Sequence, residues 1–136
     1  NASAGSSGGS GSAGSAGPGG SSSKRVAIVE DDPLTRRLVR LWLEAEGYDV
    51  DEFTGGRAIL DRKSEAYDVI CLDLGLEDVS GLTVLPHLRA AQPDLAVVVI
   101  TAENSVETAV SAMRAGAFDY VTKPLAEARL RAAVAR

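Results

Sequence analysis

The chain has 136 residues, a formal charge of −5 and one cysteine. A single thiol excludes an internal disulfide and a multi-cysteine zinc site. The acidic balance without a Lys/Arg run argues against direct binding to nucleic acid or an anionic membrane, and no apolar run nears the roughly 18 residues of a membrane helix.

Residues 1–23 contain only Gly, Ser, Ala, one Pro and one Asn, including eight of the chain's 14 glycines. With no charge and no large apolar side chain, the segment cannot bury enough surface to offset its ordering entropy, which predicts a flexible linker or tag. Asn1-Ala2-Ser3 matches a glycosylation sequon, a three-residue pattern with little weight in such a segment. The N-terminus lacks the basic-then-apolar order of a signal peptide, so a cytoplasmic protein is expected. Residues 24–136 have the size of one domain with one core.

From there strands and helices alternate. Val26–Val29 is a continuous apolar run, predicting a strand, and is followed by Glu30 and Asp31. Asp32 reads as an N-cap with Pro33 as the first helical residue, and Gly47 closes that helix. Leu34, Leu38, Leu41, Trp42 and Ala45 recur at helical spacing, predicting its apolar face. Tyr48–Phe53 predicts a more polar edge strand, and a short helix is expected near Gly56–Arg62. Val69–Leu72 and Leu95–Ile100 are again continuous apolar runs, as suits parallel strands covered on both faces. Cys71 inside the first of them predicts a buried, inert thiol.

Between those runs Gly81–Ala91 predicts a helix stopped by Pro93, with Pro86 expected to delay or kink it. Asn104 and Glu107 suggest a capping box before Val106, Val110 and Met113, with Gly116 as the stop. Phe118–Val121 predicts a last edge strand and Leu125–Arg136 a last helix. Five βα units imply right-handed crossovers and an α/β, flavodoxin-like doubly wound fold. Its five-stranded parallel sheet would have order 2-1-3-4-5, with helices on both faces.

In that order the ends of the first, third, fourth and fifth strands surround one cleft, where such sheets bind ligands. Glu30 and Asp31 follow the first strand, Asp73 the third, Thr101 the fourth, and Lys123 lies just past the fifth. Each residue has a bland reading alone: a solvated acid, a turn-starting hydroxyl, a surface lysine. Together they fit poorly, because two carboxylates about 4 Å apart repel by roughly 4 kcal/mol at an effective dielectric of 20. Three acids with no His or Cys beside them call for a hard cation, and Mg²⁺ is the usual one beside phosphates. A carboxylate next to such an ion, flanked by an amine and a hydroxyl, can attack a phosphoryl group and hold its oxygens. His87 lies mid-helix away from the cleft and is expected on the surface.

Val29-Glu30-Asp31-Asp32, Cys71-Leu72-Asp73 with Gly81 eight residues on, Ile100-Thr101-Ala102, and Tyr120-Val121-Thr122-Lys123-Pro124 together resemble the receiver domains of bacterial two-component response regulators. The resemblance covers residues 25–136. It implies that Asp73 accepts the phosphoryl group and that Glu30 and Asp31 form the acidic pair, Asp31 the more direct Mg²⁺ ligand. The Gly75 carbonyl would complete the protein's share of the metal shell, and Lys123 would contact the acyl phosphate, its bond to Pro124 being cis. Thr101 would hydrogen-bond the phosphoryl group and Tyr120 would change rotamer.

A sensor histidine kinase is the implied phosphoryl donor and a homodimer through the face of the fourth helix, fifth strand and fifth helix an implied consequence. Thr101-Ala102-Glu103 and Gly116-Ala117-Phe118-Asp119-Tyr120 look most like receivers of nitrogen-regulation-type activators of alternative sigma factors. In those, ATPase and DNA-binding output domains would follow Arg136.

Leu76-Glu77 stands where many members carry Met-Pro, and Ser80 where many carry an acid. These departures leave room for a second reading, an interaction module that no longer uses phosphate. A turnover enzyme fits less well. A haloacid-dehalogenase-like phosphatase needs a second acid two residues past its nucleophile, where Gly75 stands, and a flavodoxin's phosphate would be repelled by Glu30 and Asp31.

Overall fold

A computed structural model describes residues 24–62 and 66–136. The predicted linker over residues 1–23, with its sequon, lies outside the described residues. The elements are β1 (Arg25–Val29), α1 (Pro33–Ala45), β2 (Asp49–Phe53), α2 (Gly56–Leu60), β3 (Val69–Asp73), α3 (Gly81–Ala91), β4 (Ala96–Thr101), α4 (Val106–Arg114), β5 (Asp119–Thr122) and α5 (Glu127–Ala135). The sheet is parallel with order β2-β1-β3-β4-β5, as predicted.

Burial follows position in the sheet. All five residues of β3 are buried, whereas the edge strands β2 and β5 each bury one. Successive side chains of a strand point to opposite faces, so the continuous apolar runs feed two cores. Ala27, Val29, Ile70, Leu72, Val97 and Val99 meet Ile59, Val84, Leu85, Leu88 and Ala112 on one face. Val26, Ile28, Cys71, Val98 and Ile100 meet Val39, Leu43, Leu130 and Val134 on the other. Burial alone pushes the Cys71 thiol up to about 12, so it is inert at neutral pH.

Helix ends largely follow the local signals. The Asp32 carboxylate accepts from the Thr35 N–H at 3.0 Å, and Pro33 opens α1. Gly47 and Gly116, at φ 90° and 107°, stop α1 and α4 in the left-handed region that favours glycine. Helix α3 runs through the exposed Pro86 without interruption, at the cost of one backbone hydrogen bond.

Three expectations need correction. Most of the predicted inner face of α1 points outward: Leu34, Leu38 and Leu41 are 77%, 41% and 57% exposed and Ala45 is exposed, while Trp42 packs half-buried against the core as expected and Val39 and Leu43 are fully buried. Leu38-Val39 and Leu41-Trp42-Leu43 supply two overlapping apolar stripes, and the packing of α1 against α5 and the sheet chooses between them. In α4 the cap is Ser105, whose hydroxyl accepts from the Thr108 N–H at 3.1 Å, rather than an Asn104–Glu107 box. Its residues Val106, Val110 and Met113 are exposed and only Ala112 is buried. Finally, α2 stops at Leu60 rather than Arg62. Among the described residues no helix is long and apolar enough to cross a membrane.

Candidate functional site

The register of the sheet assembles the site. Val29 pairs with Leu72, Asp73 with Ile100, and Thr101 with Thr122. The residues that follow at each carboxyl end, Glu30-Asp31, Asp73, Thr101 and Lys123, therefore come out along one rim. Glu30 is fully buried, Asp73 and Thr101 nearly so, and one carboxylate oxygen from each of Glu30, Asp31 and Asp73 lies within 4.8 Å of the others. The Lys123 Nζ sits 2.8 Å from Glu30 Oε1 and 3.5 Å from Asp73 Oδ2. Four of the five chemical positions predicted from the sequence, Glu30, Asp31, Asp73 and Lys123, thus form one cluster, and Thr101 ends the neighbouring strand on the same rim. His87 is exposed on α3, as expected.

The electrostatics follow from this crowding. Burial pushes the Glu30 carboxyl up to about 6. Hydrogen bonds from Lys123 and from the Asp32 N–H (3.0 Å) oppose the rise, and neighbouring Asp73 adds to it. Burial also disfavours the charged form of Lys123, but the Glu30 bond and the Asp73 charge outweigh it and hold the amine above its ordinary value. One ammonium faces three carboxyl groups. The donor set is all oxygen with no His or Cys, and a small divalent cation fits it.

Backbone groups fix the acids. The Gly75 N–H donates to Asp73 Oδ1 at 3.1 Å, and the Glu77 N–H to Asp31 Oδ2 at 3.0 Å. Gly81 allows the third strand and α3 to close on each other. A Cβ there would lie 2.4 Å from the Asp73 carbonyl oxygen, which explains physically why a glycine stands eight residues after the aspartate. The Lys123 N–H donates to the Thr101 carbonyl at 2.8 Å, and the Lys123–Pro124 bond is cis.

Thr101 and Tyr120 converge on one residue. The Glu103 N–H donates to Thr101 Oγ1 at 3.1 Å, and the Tyr120 hydroxyl donates to the Glu103 carbonyl. Three further residues were not singled out from the sequence, although Ser105 suits a cap by pattern as well as Asn104 does. Arg36 donates to the Glu30 carbonyl at 2.9 Å while pairing with Glu52, Asp78 caps α2, and Ser105 caps α4.

A doubly wound sheet thus carries an acid cluster and a fixed lysine at the carboxyl ends of its strands. The chain belongs to the response regulator receiver domain family, whose model matches residues 26–135. Among curated relatives, the alginate biosynthesis transcriptional regulatory protein AlgB of Pseudomonas aeruginosa is 40% identical over 115 residues, which cover 82% of this chain and 25% of that protein. Across AlgB, the probable transcriptional regulatory protein TcrX of Mycobacterium tuberculosis and the cell cycle transcriptional regulator CtrA of Caulobacter vibrioides, the chain spans about a quarter to half of the relative's length.

Three solved structures are similar. A CheY-like receiver domain protein from Methanospirillum hungatei has a TM-score of 0.80 at 28% identity, covering 84% of this chain and 92% of that one. A Burkholderia pseudomallei response regulator with a phosphorylated aspartic acid and a calcium ion has 0.77 at 30%, covering 82% and 66%. TrrA of Thermotoga maritima, in complex with Mg²⁺ and beryllofluoride, has 0.75 at 31%, covering 82% and 96%.

Proposed function

We propose that Asp73 accepts a phosphoryl group from a phosphohistidine of a sensor histidine kinase, and that the resulting acyl phosphate switches the domain. The observation that carries this reading is the Lys123 amine held between Glu30 and Asp73 at 2.8 and 3.5 Å, inside a cluster of three carboxyl groups. An Asp73 carboxylate oxygen attacks phosphorus, the phosphorus–nitrogen bond breaks, and the imidazole leaves. Glu30, Asp31, Asp73 and the Gly75 carbonyl are the groups that would hold Mg²⁺, which supplies charge neutralisation for the transferring phosphoryl oxygens.

Once Asp73 is phosphorylated, Lys123 exchanges part of its attraction to the carboxylates for the new dianion, and the Thr101 hydroxyl donates to a phosphoryl oxygen. Thr101 shares Glu103 with Tyr120, so rearrangement at Thr101 reaches the β4–α4 loop and the Tyr120 side chain. The exposed Val106, Val110 and Met113 of α4, with Phe118 just before β5, form the face on which a second copy would dimerise. An output domain following Arg136 would regulate transcription, as the names of the relatives suggest, in a cytoplasmic protein. The domain promotes its own phosphorylation and dephosphorylation rather than turning over a free substrate.

The test is intact-mass analysis after incubation with acetyl phosphate and Mg²⁺. One added phosphoryl group is expected in the wild type and none in Asp73→Asn. An unmodified wild type, or a labelled Asp73→Asn, refutes the reading.

A further inference from the structure

The loop joining β3 to α3 is held from two sides, by Asp78 on the start of α2 and by the Glu77 amide on Asp31. The N-cap of α2 is Gly55, which has no side chain to cap the helix. The cap comes from the other loop: Asp78 Oδ1 accepts from the Gly56 N–H at 2.9 Å and Oδ2 from the Arg57 N–H at 3.0 Å. The approach is close enough that a Cβ on Gly55 would sit 2.7 Å from Asp78 Oδ2, and one on Gly56 2.8 Å from Val84 and 3.2 Å from Val79. Oδ1 also accepts from the Val79 N–H at 2.8 Å, which ties the loop's own turn to the same carboxylate.

One residue earlier, the Glu77 N–H donates to Asp31 Oδ2. Proline has no such donor, so a chain with Met-Pro at Leu76-Glu77 lacks this bond. Adjacent residues thus fasten the phosphoacceptor loop to an acid of the pocket on one side and to α2 on the other.

We propose that Asp78 and the Glu77 backbone amide are positioning groups for the metal- and phosphoryl-binding loop, so that the start of α2 acts as a strut that keeps Asp31 oriented. The proposal rests on the reading of Asp31 and Asp73 given above. The Asp31 carboxylate has free torsions about its side chain, and a fixed N–H donor selects one orientation. That donor stays fixed only while residues 77–79 are pinned, and Asp78 pins them through three backbone amides.

Full-length chains carrying Asp78→Ala, Asp78→Asn, Gly55→Ala, Glu77→Pro and Glu77→Ala test it. Mg²⁺ affinity is measured by calorimetry, amide exchange over 56–60 and 74–80 is followed without Mg²⁺, and stability is measured in urea. Asp78→Ala and Gly55→Ala should speed exchange in both segments and weaken Mg²⁺ binding by roughly fivefold, about 1 kcal/mol. Asp78→Asn, which keeps an acceptor oxygen, should lie between Asp78→Ala and the wild type. Glu77→Pro should bind Mg²⁺ more weakly than Glu77→Ala, which keeps the amide.

Faster exchange confined to 56–60, with the loop amides and Mg²⁺ affinity of Asp78→Ala at wild-type values, overturns the proposal and leaves a local helix cap. Equal Mg²⁺ affinity in the two Glu77 variants overturns the part played by the amide. A wild-type chain that takes up neither Mg²⁺ nor a phosphoryl group instead refutes the functional reading. The exchange of 74–80 in Asp78→Ala then decides by itself whether the loop is tied to α2.

Discussion

Replacing Lys123 by Met removes the ammonium that pairs with Glu30 and Asp73. At an effective dielectric of 20, attractions at 2.8 and 3.5 Å amount to roughly 6 and 5 kcal/mol before the cost of desolvating the charges is subtracted. Removing one partner of a buried pair nets about 3–5 kcal/mol. Because the Lys123 side chain keeps 23% of its exposure, the lower end applies, about 3 kcal/mol near neutral pH.

The sign of the pH dependence follows from Glu30. Its carboxyl already stands at about 6 in the folded chain, above its ordinary 4.5, and loss of the lysine raises it further. A carboxyl raised in the folded state contributes stability below its unfolded value, and loses that contribution as pH climbs through the folded one. The deficit of Lys123→Met should therefore be small near pH 5, where Glu30 is neutral with or without the lysine, and grow as pH climbs past the folded value of about 6. Urea unfolding in EDTA, followed by circular dichroism at several pH values, measures it. Added Mg²⁺ should recover part of the loss at neutral pH. A deficit that is absent, or that grows on acidification, would refute the electrostatic account of the pocket.

The two positive-φ glycines offer a controlled comparison in thermal or urea unfolding. Gly47→Ala meets nothing within 4 Å and should cost about 1 kcal/mol of backbone strain, while at Gly116 the new Cβ lies 3.0 Å from Arg89 Nε and the loss should reach about 2 kcal/mol. Arg36→Ala gives up charged bonds to the Glu30 carbonyl and to Glu52, so about 2 kcal/mol is expected in urea, against under about 0.5 kcal/mol for Arg131→Ala, whose pairs are exposed. Cys71, buried and with its thiol pushed up to about 12, should resist a thiol-specific chromogenic reagent in native buffer and react at once in denaturant.

Much of the molecule was legible in the amino-acid order because the relevant forces act locally or with a fixed period. Continuous apolar runs specify strands buried on both faces, and Asp32-Pro33, Gly47 and Gly116 set helix ends through single hydrogen bonds or a single φ. Glu30-Asp31 and Asp73 stand at the carboxyl ends of two strands that are neighbours in the sheet, so a cluster of acids follows from the strand order alone. With the strand order taken from the known doubly wound sheets of five βα units, those facts brought Glu30, Asp31, Asp73, Thr101 and Lys123 to one rim.

What only the tertiary structure decided were choices between alternatives of equal local merit. Leu34, Leu38 and Leu41 make as good an apolar stripe as Val39 and Leu43, and only contact with the sheet and α5 turns the second stripe inward. Ser105 displaced Asn104 as a cap because a one-residue shift is nearly neutral to sequence pattern, but not to hydrogen-bond geometry. The hold of Asp78 on α2 joins residues 21 and 22 positions apart, and the grip of the Glu77 amide on Asp31 joins residues 46 apart. Neither bond leaves a periodic or adjacent trace, since a backbone amide carries no side-chain signature and its partner is fixed only when the chain has folded.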